Sequence, residues 1–311
     1  MVIESQLGMK KTTATRGVIL ACGGFEWDMR LRQYLLAAPL EAAASPPFND
    51  GDNLRLAAMA GSELSRLDQA WWAPLLHEEG ELNEGQPMFR TTASERALPG
   101  SICVNSEGQR FTNEAANYND FVRAMFQFDP LNYLHKDANR TTWLVFDHLF
   151  KNRYAVGSVM PSAPAPNWMI KASDLDSLAV LIGVSSDTLK STVGRFNEMA
   201  REGVDEDFGR GRTAHDRVWG DPNDGVNASL GTLSEPPLYA VRLYLGALGT
   251  NGGPTIDARA RVLNLDGQPI PGLFACGNAC ASVMVSYPGS GASIGAAATF
   301  GYLAGQTATT S

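Results

Sequence analysis

The residues with the most chemistry to offer lie near the carboxyl end. Ser286-Tyr287-Pro288-Gly289-Ser290-Gly291-Ala292-Ser293-Ile294-Gly295 is a glycine-rich loop that leads into a stretch of small residues, Ala296 to Ala304, which reads as a helix. The first-turn N–H groups of such a helix have no carbonyl one turn back and sit at the positive end of its dipole. That start suits a phosphate, a carboxylate or a flavin pyrimidine carbonyl. The alternative is a helix that needs small residues simply to pack closely. No Lys follows the glycines and GxxxxGK[ST] is not matched, so nucleotide triphosphate binding is not expected. Cys276 and Cys280 in CGNAC admit a redox pair, although a crossing from strand to loop favours packing. The four cysteines form no CxxC, and with only His77, His135, His148 and His215 no zinc spacing assembles. These isolated histidines read as surface or capping groups. Trp71, Trp72, Phe121 and Met125 either line an apolar slot or fill a core.

The elements that must position these residues follow from apolar patterning. Val18 to Cys22 (VILAC) closes on Gly23-Gly24, and Leu273 to Cys276 (LFAC) closes on Gly277-Asn278. Both predict buried parallel strands whose ends need close backbone approach. Ligands of open α/β sheets lie beyond such carboxyl ends. Similar strands at opposite ends of the chain suggest one sheet domain with a long insertion. Residues 51 to 61 predict a helix with Leu54, Ala57, Ala58 and Gly61 on one face, and Trp71, Trp72 and Pro74 open a less regular region. Ile102 to Val104, a turn at Asn105 to Gly108, and Arg110-Phe111 predict a hairpin. Thr142 to Phe146 predicts a strand. Ser173 with Asp176 starts a helix running to about Ile182, and Asp187 opens another with Leu189, Val193, Phe196 and Ala200 as its apolar face. Gly203 to Arg212 reads as a solvated loop. Pro236-Pro237 precedes a strand from Leu238 to Leu245.

The 311 residues predict about two domains with sizeable cores. Hydrophobic content of 44%, charged content of 19% and mean hydropathy of -0.14 are ordinary for a folded chain. A formal charge of -8 without clustered Lys and Arg argues against nucleic acid. No apolar run has the roughly 20 residues of a membrane helix. Met1 to Thr15 lacks the pattern of a signal peptide, and a reduced cytoplasmic setting is expected.

Arg16 to Trp27 (RGVILACGGFEW), Asp50 to Gly61, Cys103 to Glu114 (CVNSEGQRFTNE), Gly246 to Asp257 (GALGTNGGPTID) and Pro271 to Gly301 resemble, in order, the flavoprotein family of fumarate reductases and 3-ketosteroid dehydrogenases. Within it, YPGSG followed by ASIGAAATFGYLAG most resembles the 3-oxosteroid 1-dehydrogenases. The resemblance covers essentially the whole chain. It implies FAD as cofactor, with Ala21, Gly23, Gly24, Gly277, Asn278, Gly291, Ala292, Ser293 and Ile294 at the flavin. It also implies an external electron acceptor and a steroid or other cyclic ketone as substrate. Fumarate and succinate enzymes place histidines ahead of the glycine pair near residue 252 and arginines for two carboxylates. Residues 246 to 253 here contain neither His nor Arg. Tyr118 and Tyr287 instead fall on the tyrosine positions of the steroid branch. By resemblance, the Tyr287 hydroxyl and the Gly291 N–H bind the C3 oxygen, and Tyr118 takes the C2 proton while flavin N5 accepts a hydride from C1. A free phenol has a pKa of about 10, so a tyrosine base needs help from a second donor. Without the resemblance, Tyr118 would read as a surface aromatic in an Asn-rich loop.

The expected fold class is α/β, an incomplete Rossmann-like FAD-binding domain carrying an inserted α+β substrate domain. The FAD-binding parts fall at residues 1–78 and 247–311, and the catalytic insertion at 79–246. The family's GxGxxG fingerprint is not found in this sequence, which looks like the later part of a longer protein, so the chain alone is expected to bind FAD weakly or not at all. Two rivals stand beside 1,2-desaturation of a 3-oxosteroid. One is a related flavin dehydrogenase or ene-reductase on another cyclic ketone. The other is an inactive chain acting at most as a binding module.

Overall fold

The structure, a computed structural model, describes residues 2–5, 8–127, 137–223, 225–284, 287 and 289–310. His135, Ser286 and Pro288, singled out in the sequence, lie outside the described residues. Two compact units emerge. One contains Met1–Pro39, Ser45–Trp71 and Gly249–Ser311, the other Leu40–Ala44 and Trp72–Leu248. The chain is mixed helix and strand, in keeping with an α/β FAD-binding fold.

The first unit is organised by a three-stranded sheet in the order Arg261–Leu263, Pro269–Ala275, Val18–Leu20. Leu273 pairs in parallel with Val18, Phe274 with Ile19 and Ala275 with Leu20, although these residues lie at opposite ends of the chain. Leu20, Ala57, Val262, Ala275, Ala279 and Cys280 form one small core, and Phe274, Ala260 and Ala304 a second. The Val18–Leu20 strand is shorter than expected and not wholly buried: Ile19 is 39% exposed, because side chains alternate faces and only one face of this strand is covered. The Asp52–Met59 helix buries Asn53, Leu54 and Ala57, whereas Ala58 and Gly61 face solvent. The carboxyl-terminal helix begins at Ala292 rather than Ala296 and runs to Thr310, since small residues after Gly291 continue the helix without obstruction.

The second unit is built on a seven-stranded sheet with the main order Gln86–Thr91, Ala70–Asn83, Leu238–Thr250, Thr142–Phe146, Ser101–Val104. Ile170–Ala172 and Ala42–Ala43 also pair with the long Leu238–Thr250 strand. The Leu175–Ile182 and Ser186–Glu202 helices cover it through Leu178, Ile182, Leu189, Val193 and Phe196. Ala200, partly buried, packs against the same core, and Met199 is buried as well.

Several expectations are corrected here. The region opened by Trp71, Trp72 and Pro74 is a single strand of 14 residues, buried from Ala70 through Leu76, whose pairing shifts register between His77 and Leu82. Burial on both faces removes the alternation by which a strand is read. The expected hairpin does not form: Asn105 to Gly108 is a turn, but Ser101–Val104 pairs antiparallel with Thr142–Phe146 and not with Arg110-Phe111. Asp174, not Ser173, caps the Leu175–Ile182 helix by accepting from the Ser177 N–H at 2.7 Å. Among the described residues, no helix is long and apolar enough to cross a membrane.

Candidate functional site

In the first unit, the turn after Val18–Leu20 is tied by a buried carboxylate. Glu26, with no exposed surface, accepts from Asn49 Nδ2 at 2.7 Å, from the Thr250 N–H at 3.0 Å and from Thr250 Oγ1 at 3.1 Å. Thr250 Oγ1 in turn accepts from the Phe25 N–H at 2.9 Å. Gly23 takes a φ of +78°, open to glycine at little cost. A Cβ on Gly23 would meet the Asn49 amide, and one on Gly24 would meet Thr250 Oγ1 and the Glu26 carboxylate. The close approach foreseen for these two glycines is therefore made to the protein's own side chains. Ala21, expected at the flavin, is exposed just beyond the strand.

The turn after Pro269–Ala275 carries a second group of expected residues. Asn278 lies in the short Gly277–Ala279 helical turn, and its Oδ1 accepts from the Trp71 indole N–H at 2.8 Å. The Trp71 ring lies 4.9 Å from that of Tyr287 at an interplanar angle of 49°. Trp71, Asn251, Gly277, Asn278, Ser293 and Phe300 help line a narrow cleft with about 20 Å³ open to water, the space of one molecule. Gly277, Asn278 and Ser293, expected together from the sequence, thus meet on one cleft. Gly291, with φ +88°, precedes the Ala292–Thr310 helix, and Ala292 and Ile294 lie in its first turn. Ile294 is 75% exposed.

Tyr118 belongs to the second unit. It is the first residue of the Tyr118–Met125 helix and is 8% exposed, so the surface-aromatic alternative is set aside. The segment before it is fixed by a charge cluster that the sequence reading missed. Arg110 forks onto Glu114 with two bonds of 2.7 Å and onto Asp205 at 2.8 and 3.2 Å, and Arg210 lies 3.4 Å from Glu114. Burial alone would raise the Glu114 carboxyl, but the Arg110 and Arg210 guanidiniums hold it below its ordinary value. Asp205 is lowered in the same way by Arg110. Arg96, fully buried and brought down to about 10 by desolvation, donates to the carbonyls of Thr92, Glu114 and Ala116 and lies over the Phe121 ring at 4.4 Å. Gly203 to Arg212 is therefore solvated only in part: Val204, Glu206, Asp207, Phe208 and Arg212 are exposed, but Asp205 and Arg210 are buried in this cluster. Acidic and basic residues at loop spacing look alike whether they face water or each other. An RFTNE run with its Arg and Glu four apart was the one available hint.

Trp71, Trp72, Phe121 and Met125 are all buried. Trp72 packs on Phe126 and Phe121 on Phe111. His77 Nδ1 is within 2.9 Å of the Met88 carbonyl, while His148 and His215 are exposed. The four cysteines are free thiols. Burial pushes Cys280 up to about 12, and its Sγ donates to the Gly277 carbonyl, an environment that suits packing better than thiolate chemistry.

Flavin fits the groups of the first unit. The first-turn N–H groups of the Ala292–Thr310 helix are donors for ring carbonyls. In the cleft beside them, buried Asn251 Oδ1 is an acceptor with no partner among the described residues. The sequence profile of the FAD binding domain family matches residues 1–294. The chain belongs to this FAD-binding flavoprotein family. FAD is accordingly its cofactor. Among relatives of this flavoprotein, 4-oxocyclohexanecarboxylate 2-dehydrogenase of Sinomonas cyclohexanicum is 45% identical over 301 residues, covering 96% of this chain and 52% of the relative. The 3-oxosteroid 1-dehydrogenase of Mycobacterium tuberculosis is 41% identical over 300 residues, covering 94% and 52%. The crystal structure of 3-ketosteroid delta1-dehydrogenase from Sterolibacterium denitrificans, in complex with 1,4-androstadiene-3,17-dione, superposes with a TM-score of 0.92 at 37% identity. That match covers 100% of this flavoprotein chain and 56% of the other. The chain thus spans about half the length of the relatives it matches.

Proposed function

We propose that this chain serves FAD-dependent dehydrogenation of a cyclic ketone, introducing a double bond beside the carbonyl, with 3-oxosteroids as the substrate class. The observation that carries this reading is Tyr287. It is a phenol only 7% exposed and set against Trp71, four residues before the Gly291 helix start, in a member of this flavoprotein family. The Tyr287 hydroxyl and the Gly291 N–H donate to the ketone oxygen, so that negative charge developing there on loss of the α-proton is stabilised. Tyr118, as phenolate, takes that proton from C2 and becomes a neutral phenol. FAD, when bound, supplies the acceptor for the hydride that leaves C1. Gly277, Asn278, Ala292, Ser293 and Ile294 are the residues proposed to hold its ring system, and an external acceptor reoxidises it.

One observation favours a smaller ring as the second reading. The 45% identical relative is, by its name, a dehydrogenase of a 4-oxocyclohexanecarboxylate. Parallel turnover assays with a 3-oxosteroid and with 4-oxocyclohexanecarboxylate separate the two.

The proton step has its own test. In the FAD-loaded protein, Tyr118→Phe keeps nearly all of the apolar ring but removes the group that takes the proton. Exchange of α-hydrogens with deuterated water, followed by mass spectrometry, is expected to stop while the ketone still binds. Wild-type exchange in this variant would overturn the role of Tyr118.

A further inference from the structure

We propose that Trp71 is a positioning residue for Tyr287, itself held by Asn278; this rests on the reading of Tyr287 given above. Three observations within the first unit carry the inference. The Trp71 indole is buried and lies 4.9 Å from the Tyr287 ring in a tilted arrangement, which limits the directions in which the phenol can turn. The indole has a single donor, Nε1–H, and that donor is committed to Asn278 Oδ1 at 2.8 Å. Asn278 is fixed in its turn, because its Nδ2 fills the space where a Cβ on Gly249 would lie 2.5 Å away. A missing side chain at Gly249 thus admits the Asn278 amide, the amide aligns the indole, and the indole forms the wall against Tyr287.

The consequence is catalytic precision without contact with the substrate. A donor to a developing oxyanion must hold its direction to within about 10–20°. A misplacement of roughly 1 Å costs about a hundredfold in rate. Asn278, expected from the sequence only as a flavin contact, gains a second role that its position at the end of Pro269–Ala275 did not announce. Trp71, left undecided between slot and core, gains a defined one.

The test is a double-mutant cycle in the FAD-loaded protein. Trp71→Phe keeps an aromatic wall but loses the bond to Asn278, and Asn278→Leu removes the same bond from the other side should loss of the indole disturb folding. Each is expected to lower kcat for a cyclic ketone about 10- to 100-fold with little change in KM. Asn278→Asp, which keeps an oxygen acceptor for the indole, is expected to recover most of the loss caused by Asn278→Leu. In a Tyr287→Phe background, Trp71→Phe is expected to change kcat less than about twofold, since a positioning residue has nothing left to position. A second readout is the infrared carbonyl band of a 3-oxosteroid carrying ¹³C at C3. Tyr287→Phe and Trp71→Phe are both expected to move the bound band toward its frequency in solution. Additive losses in the double variant, or an unmoved band in Trp71→Phe, overturn the positioning role. A Tyr287→Phe variant with normal turnover and a normal band removes the role of Tyr287 and this inference with it. Loss in Tyr287→Phe without loss in Trp71→Phe removes the inference alone.

Discussion

Glu26 ties three segments of chain through one carboxylate, and the glycine beside it shows how narrowly that arrangement is drawn. A methyl on Gly24 would enter the space of Thr250 Oγ1 and Glu26 Oε2, both held in the same network. Gly24→Ala is expected to destabilise the fold by about 1–3 kcal/mol, as overpacking does. Gly194 gives the opposite expectation. It lies exposed within the Ser186–Glu202 helix with nothing within 4 Å of an added Cβ. Gly194→Ala is expected to stabilise by roughly 0.5–1 kcal/mol by reducing the freedom of the unfolded chain. Thermal unfolding of both variants checks the contrasting signs. At this scale the sequence announced that something crowds Gly23 and Gly24. It did not announce what, because Asn49 and Thr250 are remote in the chain and neither polar residue has a periodic signature.

Elements read well where one face is apolar and the other wet. The Leu175–Ile182 and Ser186–Glu202 helices followed from such patterning, whereas the Thr142–Phe146 strand, buried almost throughout, followed from its short apolar run. Ala70–Asn83 did not, being buried on both faces over its first half, and Gly203 to Arg212 did so only in part, because two of its charges, Asp205 and Arg210, are satisfied inside the protein. The second case has a consequence for acid stability. Glu114 and Asp205 have folded pKa values below their ordinary ones, near about 4. Their ionised forms therefore stabilise the fold fully above that range, and the contribution is lost as pH falls through the depressed folded values. The unfolding midpoint is expected to hold from pH 7 to about pH 5 and to drop below about pH 4. Asp205→Asn should start lower at pH 7 and decline less steeply, measured by denaturant unfolding across this pH range. A parallel acid slope in that variant would show that Asp205 contributes nothing to it.

At the scale of the whole molecule, parallel pairing of Val18–Leu20 with Pro269–Ala275 was legible because both runs are apolar and end in glycine. The exposure of the last helix was not. Ala292–Thr310 is composed largely of small and apolar residues, yet among its described side chains only Ala304 is buried, and Tyr302 is 70% exposed. Apolar surface of this kind favours association. Light scattering of the purified chain is expected to show species larger than a monomer, with Tyr302→Lys shifting the distribution toward the monomer. A monodisperse wild-type monomer would count against this. The bond from Thr250 to Glu26 has a further consequence, one of timing. The two residues are 224 positions apart. At a synthesis rate of about 5–20 residues per second, Thr250 is made roughly 10–45 s after Glu26. Through that interval the intervening Trp72–Leu248 segment can assemble its own sheet, while the first strand waits for its partner with an apolar edge on display. An unpaired edge of this kind invites aggregation during synthesis, so co-expression of a holding chaperone is expected to raise the yield of folded protein without changing its unfolding midpoint.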